Sequence, residues 1–188
     1  KKILKEAEKF ESDSSTDVNQ KVRALYHQIE FSGLHPKDMV LAKEHVRKTL
    51  FTQHGTRNED KTAEADSANL IRDNTFYEMK ICEIEGTVYK IVGCVDRIQI
   101  NEDGSRTLVE IKNRANKLFG RVRDYENIQC QTYLQMLGDI KYCRLIEQFD
   151  EMRKAYLIEK NDEKWNGEIK PKLQNFCEHF HSMVSETV

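Results

Sequence analysis

The chain has 188 residues, of which 33 % are charged, with 30 Lys and Arg set against 32 Asp and Glu for a net charge of −2. That length supports one domain with a proper core rather than two, and the balanced charge excludes a protein that is basic as a whole, so any nucleic acid has to be held by a local patch. No stretch approaches the roughly 20 apolar residues of a membrane span, and no secretory leader opens the sequence. Five scattered cysteines without a C-x-x-C pair read as free thiols, which predicts an intracellular protein with no membrane partner.

Residues 1–10, KKILKEAEKF, place Ile3, Leu4, Ala7 and Phe10 at the spacing of a short amphipathic helix. The Ser/Asp cluster after it reads as a loop that caps a helix from about Asp17 to Phe31, with Val18, Val22, Leu25, Tyr26 and Ile29 on its apolar face. Ser32-Gly33 breaks the pattern, and Pro36 opens another helix carrying Met39, Val40, Val46 and Leu50. Gly55 then permits a tight backbone approach, with Thr56 or Asn58 starting a helix that carries Glu59, Ala63 and Leu70.

From Phe76 the apolar period changes to two. The runs 76–86 and 87–100 alternate around a Glu85-Gly86 turn, and a third strand, 107–114, follows the turn Asn101-Glu102-Asp103-Gly104, which together predict an antiparallel meander. Asp124 to Gly138 reverts to helix, with Gly138 as its C-cap and with Gln129 and Tyr133 four apart on one face. Residues 142–150 and 154–160 read as two more strands. A closing amphipathic helix from Lys164 carries Trp165, Ile169, Leu173, Phe176, Phe180 and Met183. There is no repeat and no Gly-rich phosphate loop.

The chemistry gathers between Gly93 and Tyr133. Alternation along the third strand sends Glu110 and Lys112 to one face and Val109 and Ile111 into the body of the protein, with Asp96 near the end of the preceding run. Taken alone, Glu110 and Lys112 equally describe a surface pair on a half-buried strand, and Glu59 a solvated helix charge. Cleaving a phosphodiester needs an activated water, an electrophile on the phosphate and help for the leaving oxygen, all of which divalent ions on oxygen ligands supply. Asp96 and Glu110 are suitable donors, the Ile111 carbonyl offers a further ligand, and Lys112 is placed to orient or deprotonate the water and offset charge on the phosphorane.

The ordered set Gly55-x-x-x-Glu59, Gly93-Cys94-Val95-Asp96, Glu110-Ile111-Lys112 and Gln129-x-x-x-Tyr133 resembles the PD-(D/E)xK nuclease superfamily, in its branch of lambda-type exonucleases, YqaJ-like viral recombinases and RecB-like nuclease domains. The resemblance covers roughly residues 53–137, and Val95 stands where the family signature has proline. It implies an α/β (α+β) fold with a restriction-endonuclease-like core, a central mixed sheet of about five strands flanked by helices. The resemblance further implies Glu59 as the helix-borne acid of the metal site, Asp96 as the metal-binding aspartate, Glu110 and Lys112 as the acid and lysine, and Gln129 with Tyr133 as the pair that positions the lysine and the DNA strand. The expected cofactor is Mg²⁺, with Mn²⁺ as a substitute. The four-cysteine iron-sulfur pattern of some RecB-like relatives is not matched, because Cys143 and Cys177 lie far apart.

Past Lys112, the cations Arg114, Lys117, Arg121 and Arg123 surround Leu118 and Phe119. Beside a phosphodiester site this patch would hold a DNA backbone while Phe119 stacks on or wedges against a base; its alternative is a basic loop with two apolar residues tucked into the core. No histidine shares a face with the acids, His54 included, so none is expected as a ligand. The sequence thus predicts one nuclease domain over 1–188, with 1–52 a helical N-terminal part and 53–188 the catalytic core. The expected activity is that of a Mg²⁺-dependent DNA exonuclease in recombination, repair or replication. Alternatives are a cap-snatching-type RNA endonuclease and an inactive nucleic-acid-binding member of the fold.

Overall fold

The computed structural model describes residues 17–66 and 69–186. The helix expected over 1–10 and the Ser/Asp loop up to residue 16 lie outside them. Helix α1, Val18–Glu30, starts where Asp17 accepts the Asn19 N–H at 3.0 Å, satisfying one of the amide donors a helix start leaves open. Its apolar face buries Val18, Val22, Leu25 and Ile29 against Val46 and Leu50 of α2, Pro36–Glu64. Leu25 is wholly enclosed in this helical pair. Leu25→Ala is expected to lower the unfolding free energy by about 2–5 kcal/mol, read from urea denaturation.

Helix α2 runs for 29 residues without a break at Gly55. A helical glycine costs about 1 kcal/mol relative to alanine, which is what the expectation of a new start at Thr56 or Asn58 rested on. Tertiary contacts outweigh it: Val46 and Leu50 pack on α1, Ala63 packs on the sheet, and Asn113 Nδ2 donates to the Gly55 carbonyl at 3.0 Å. Leu70, expected on the same helix, begins strand β1, Leu70–Arg72. None of the described helices is long and apolar enough to cross a membrane.

Strands β2 (Tyr77–Ile84) and β3 (Thr87–Gly93) form a hairpin whose turn residues Glu85 and Gly86 both have positive φ. The hairpin is a separate two-stranded sheet, not the first part of a meander. The run expected as one strand over 87–100 divides at Cys94-Val95-Asp96, and β4, Arg97–Ile100, joins a different sheet. Two packing facts account for the division. Val95 is buried in the main core, and the Tyr133 ring lies so close to Gly93 that a Cβ there would stand 2.8 Å from it.

The central sheet has the order β1-β4-β5-β6-β7, with β5 as Arg106–Asn113, β6 as Tyr142–Phe149 and β7 as Met152–Glu159. β5 and β6 pair in parallel and every other pair is antiparallel, so the sheet is mixed, as the fold class required. Helix α3, Asp124–Leu137, supplies the crossover between β5 and β6 and is capped by Gly138 at φ 68°. It covers one face over Ile98, Leu108, Cys143 and Leu145, while Ala63 of α2 meets Val109, Ile111 and Ile146 on the other.

The closing helix opens with one turn, Asp162–Lys164, passes through a π-helical stretch, Trp165–Ile169, and continues as α4, Lys170–Ser185. A π-turn holds an extra residue and rotates the phase of the helix beyond it. Trp165, Ile169 and Cys177 therefore pack on Ile81 of the small sheet, whereas Phe176, Phe180 and Met183, expected on the buried face, are exposed.

Candidate active site

Strand β5 outruns its neighbour. The last pair between β4 and β5 is Arg97 with Val109, so beyond Val109 that edge of β5 has no strand beside it. Asp96 fills the gap, accepting the Ile111 N–H on Oδ2 at 2.7 Å. The N–H and C=O of one residue leave a strand on the same side, so the Ile111 carbonyl faces this edge as well. Glu110 projects to the α3 face. There Lys112 Nζ donates to Glu110 Oε1 at 2.6 Å and to Gln129 Oε1 at 2.9 Å, while Gln129 Nε2 donates to the same Glu110 oxygen at 2.8 Å. Tyr133, one turn further along α3, lies against Gly93.

Glu110 is only 3 % exposed, which overturns the surface-pair alternative, since a solvated strand pair would leave its carboxylate in water. Its Oε2 is buried without any hydrogen-bond partner, an arrangement that costs a carboxylate dearly unless a cation arrives. Burial, and then the Glu110 charge, push Asp96 up to about 6. Burial, and then the charge of Glu59, raise Glu110 as well. Burial alone would lower Lys112, but Glu110 and Asp96 together raise it, so Lys112 is an ammonium throughout the neutral range. In the metal-free site it stands as a cation that donates to Glu110 and Gln129.

These energetics have a testable sign. Asp96 ordinarily titrates near 3.8 and here near 6. The folded state therefore takes up the proton more readily, and the stability this confers is complete below the ordinary value and lost as pH rises through about 6. At about 1.4 kcal/mol per pH unit, ionised Asp96 costs the metal-free fold up to about 3 kcal/mol at neutral pH. Asp96→Asn is expected to be more stable than the wild type in EDTA at neutral pH, by thermal denaturation, with the difference gone below about pH 4.

Glu59 reaches the rim of the site from α2 but is held elsewhere. Its Oε1 accepts from Arg97 Nη1 at 2.6 Å, while its charge still bears on Asp96 and Glu110. Among the described residues no three His, Cys, Asp or Glu side chains close on one point. Arg97 is a residue the sequence reading missed. It is buried, pairs with Glu59 and Asp60, and donates to the Asp96 carbonyl at 2.5 Å, which ties α2 to the start of β4. Its signal was an arginine directly after the metal-site aspartate, at the head of a largely apolar strand. His54 lies apart, against Asn58 in a larger polar cavity of about 790 Å³ between α2 and the ends of β5 and β6.

The basic segment splits into two populations. Arg114, expected on DNA, turns inward: it donates to Glu126 at 2.6 Å and to Glu147 at 2.6 Å, and both acids are fully enclosed. Phe119 is not free for a base either. Its ring lies between two guanidinium groups, with Arg114 4.0 Å and Arg123 4.4 Å from the centroid. Glu147 also accepts the Phe119 and Gly120 amides, so the loop is drawn onto the end of β6. Lys117 and Arg121 stay exposed, and neither Arg121 nor Arg123 has a carboxylate partner among the described residues. The acids that redirect Arg114 sit one on β6 and one on α3, far off in sequence.

The crossover helix of the mixed sheet thus carries Gln129 onto the Glu110-Lys112 pair, with Asp96 at the free edge of β5. Residues 2–186 match the family model of the PD-(D/E)XK nuclease superfamily, and the chain belongs to that family of nucleases. Enzymes of this family generally use divalent metal ions and act on nucleic acid. Solved structures of similar fold include an alkaline exonuclease, LHK-Exo, from Laribacter hongkongensis, with a TM-score of 0.53, 15 % identity, and 90 % of this chain and 82 % of that one covered. The chain also matches SSO0001, with a TM-score of 0.49, 20 % identity, and 92 % of this chain and 82 % of that one covered. No curated protein matches the chain.

Proposed function

We propose that this nuclease is a Mg²⁺-dependent deoxyribonuclease that shortens DNA from its ends, as recombination, repair and replication require, inside the cell. The observation that carries the metal is the buried, unpartnered Glu110 Oε2 beside an Asp96 whose ionisation is opposed by the same neighbourhood. A hard divalent ion satisfies both at once, and the donors are oxygens, as Mg²⁺ or Mn²⁺ prefers. Asp96, Glu110 and the Ile111 carbonyl would hold it. A divalent ion bound there supplies an acidified water and draws charge from the scissile phosphate.

The chain's own residues do the rest. The Lys112 ammonium is fixed by Gln129 and Glu110, and from there it orients the attacking water and faces the negative charge that builds on phosphorus. Water adds to phosphorus, the bond to the leaving oxygen breaks, and that oxygen takes up a proton. Gln129 keeps Lys112 in place, and Tyr133 packs α3 against Gly93 at the end of β3, three residues before Asp96. Lys117, Arg121 and Arg123 engage the phosphate backbone without reading sequence. The fold shared with an alkaline exonuclease supports action at ends.

The test is cleavage of end-labelled linear duplex, closed circular DNA and single-stranded RNA, each with Mg²⁺ or with EDTA. Metal-dependent shortening of the linear duplex alone is expected. Nicking of the circle would make it an endonuclease, cleavage of RNA alone would move the substrate class, and activity in EDTA would overturn the metal site.

A further inference from the structure

Tyr125, Gln129 and Tyr133 follow one another at intervals of four along α3 and so share one face of it. Gln129 touches the catalytic lysine and glutamate, and Tyr133 closes on Gly93 below. Tyr125 is one turn, about 6 Å of helix rise, above Gln129 at the open end of the line. Its ring is 60 % exposed. It lines a surface hollow of about 340 Å³ together with Phe119, Arg121, Arg123 and Asp124.

The chemistry of that hollow is specific. Almost every other cation near the site is matched with an acid: Arg97 with Glu59 and Asp60, Lys112 with Glu110, Arg114 with Glu126 and Glu147. Arg121 and Arg123 are not, and the buried Nε of Arg123 finds no acceptor in the protein. Phe119 already has two guanidinium groups within 4.4 Å of its centroid, which leaves Tyr125 as the more open ring in this hollow for a flat partner. Asp124 at the same rim disfavours a bare phosphate. A nucleotide suits the set better, with its base on the aromatic face and its phosphate toward the arginines.

We propose that Tyr125 is a base-stacking platform, and that with Arg121 and Arg123 it forms the subsite for an unstacked nucleotide next to the scissile phosphate. The subsite rests on the nuclease reading of the site one helical turn away. It selects for a strand whose terminal or flanking base is free to leave the duplex, and any base serves, because each has a π-face.

The experiment compares wild type, Tyr125→Phe and Tyr125→Ala in two measurements. One is steady-state cleavage of a linear strand in Mg²⁺. The other is fluorescence anisotropy with a short labelled oligothymidylate in EDTA. Tyr125→Ala is expected to raise KM and the dissociation constant about tenfold with kcat nearly unchanged, while Tyr125→Phe behaves as wild type. With abasic sites in place of the bases that flank the cut, wild type and Tyr125→Ala should converge. Wild-type cleavage with an unchanged KM in Tyr125→Ala, or a Tyr125→Phe as weak as the alanine variant, overturns the subsite alone. Tyr125-dependent binding by a wild type that cleaves nothing supports the subsite and overturns the nuclease reading. Absence of both binding and cleavage overturns the two together.

Discussion

Lys112→Ala is expected to reduce phosphodiester hydrolysis about 10³-fold or more in kcat, with KM little changed. The ammonium is held by Glu110 and Gln129 next to the acidic pair, so the loss falls on charge stabilisation at the reacting phosphorus and not on grip of the remote strand. Removing the cation also leaves Glu110 buried against Asp96, and both carboxyls should then ionise at a higher pH in the absence of metal. For that reason the variant needs a second readout. Thermal stabilisation by Mg²⁺ should persist in Lys112→Ala and vanish in Glu110→Ala, which separates lost catalysis from lost metal binding. A Lys112→Ala enzyme retaining a tenth of wild-type turnover would remove the lysine from the mechanism.

Arg114→Ala is expected to destabilise the fold by about 3–5 kcal/mol in urea denaturation. Its guanidinium serves two carboxylates that are fully enclosed, and the variant leaves both without a cation. Phe119 loses one of its two flanking guanidiniums at the same time. Neutralising one of the two stranded carboxylates, in Arg114→Ala combined with Glu147→Gln, should recover part of the loss, because the Gly120 amide and the Tyr156 hydroxyl, both on Oε2, can still reach the remaining carbonyl oxygen. A stability change under about 1 kcal/mol, accompanied by weakened DNA binding, would return Arg114 to the role of a phosphate contact.

The two variants mark where a linear reading works and where it stops. Glu110 and Lys112 were recoverable because strand alternation is local, and their order with Asp96, Gln129 and Tyr133 survives any arrangement of the sheet. Arg114, two residues on in the same strand direction, was not. Its neighbours are Glu147 on β6 and Glu126 on α3, and nothing within a few residues of Arg114 says that β6 lies in parallel beside β5. Nor does anything near Glu59 say that Arg97, 38 positions on, pairs with it.

Secondary structure divides along a similar line. The positive-φ turns at Glu85-Gly86 and at Gly104 and the stop at Gly138 are set by residue type and appear where expected, while the cap of α1 falls on Asp17, just past the Ser/Asp cluster expected to supply it. Gly55 inside α2 and Cys94 between β3 and β4 went the other way. A glycine's weak helix propensity yields to packing at both ends of a long helix, and an extended run divides when Tyr133 crowds one residue of it and the core takes Val95. In α4 the π-stretch turned Phe176 and Phe180 outward, since phase depends on a residue inserted by packing at Trp165 and Ile169.

What the sequence by itself determined is therefore the order of the groups that meet at the candidate site, the alternation that puts Glu110 and Lys112 on one face, and the mixed helix-and-strand class. The tertiary structure alone decided that Glu110 is buried with an unmatched oxygen, that Lys112 donates to Glu110 and Gln129, that Arg114 turns onto two enclosed acids and Phe119 packs against two guanidinium groups, and that Tyr125 is the exposed ring beside the site. Periodicity and turn chemistry act over a few residues. Burial, charge pairing and the resulting pKa shifts depend on which distant strand or helix covers each side chain.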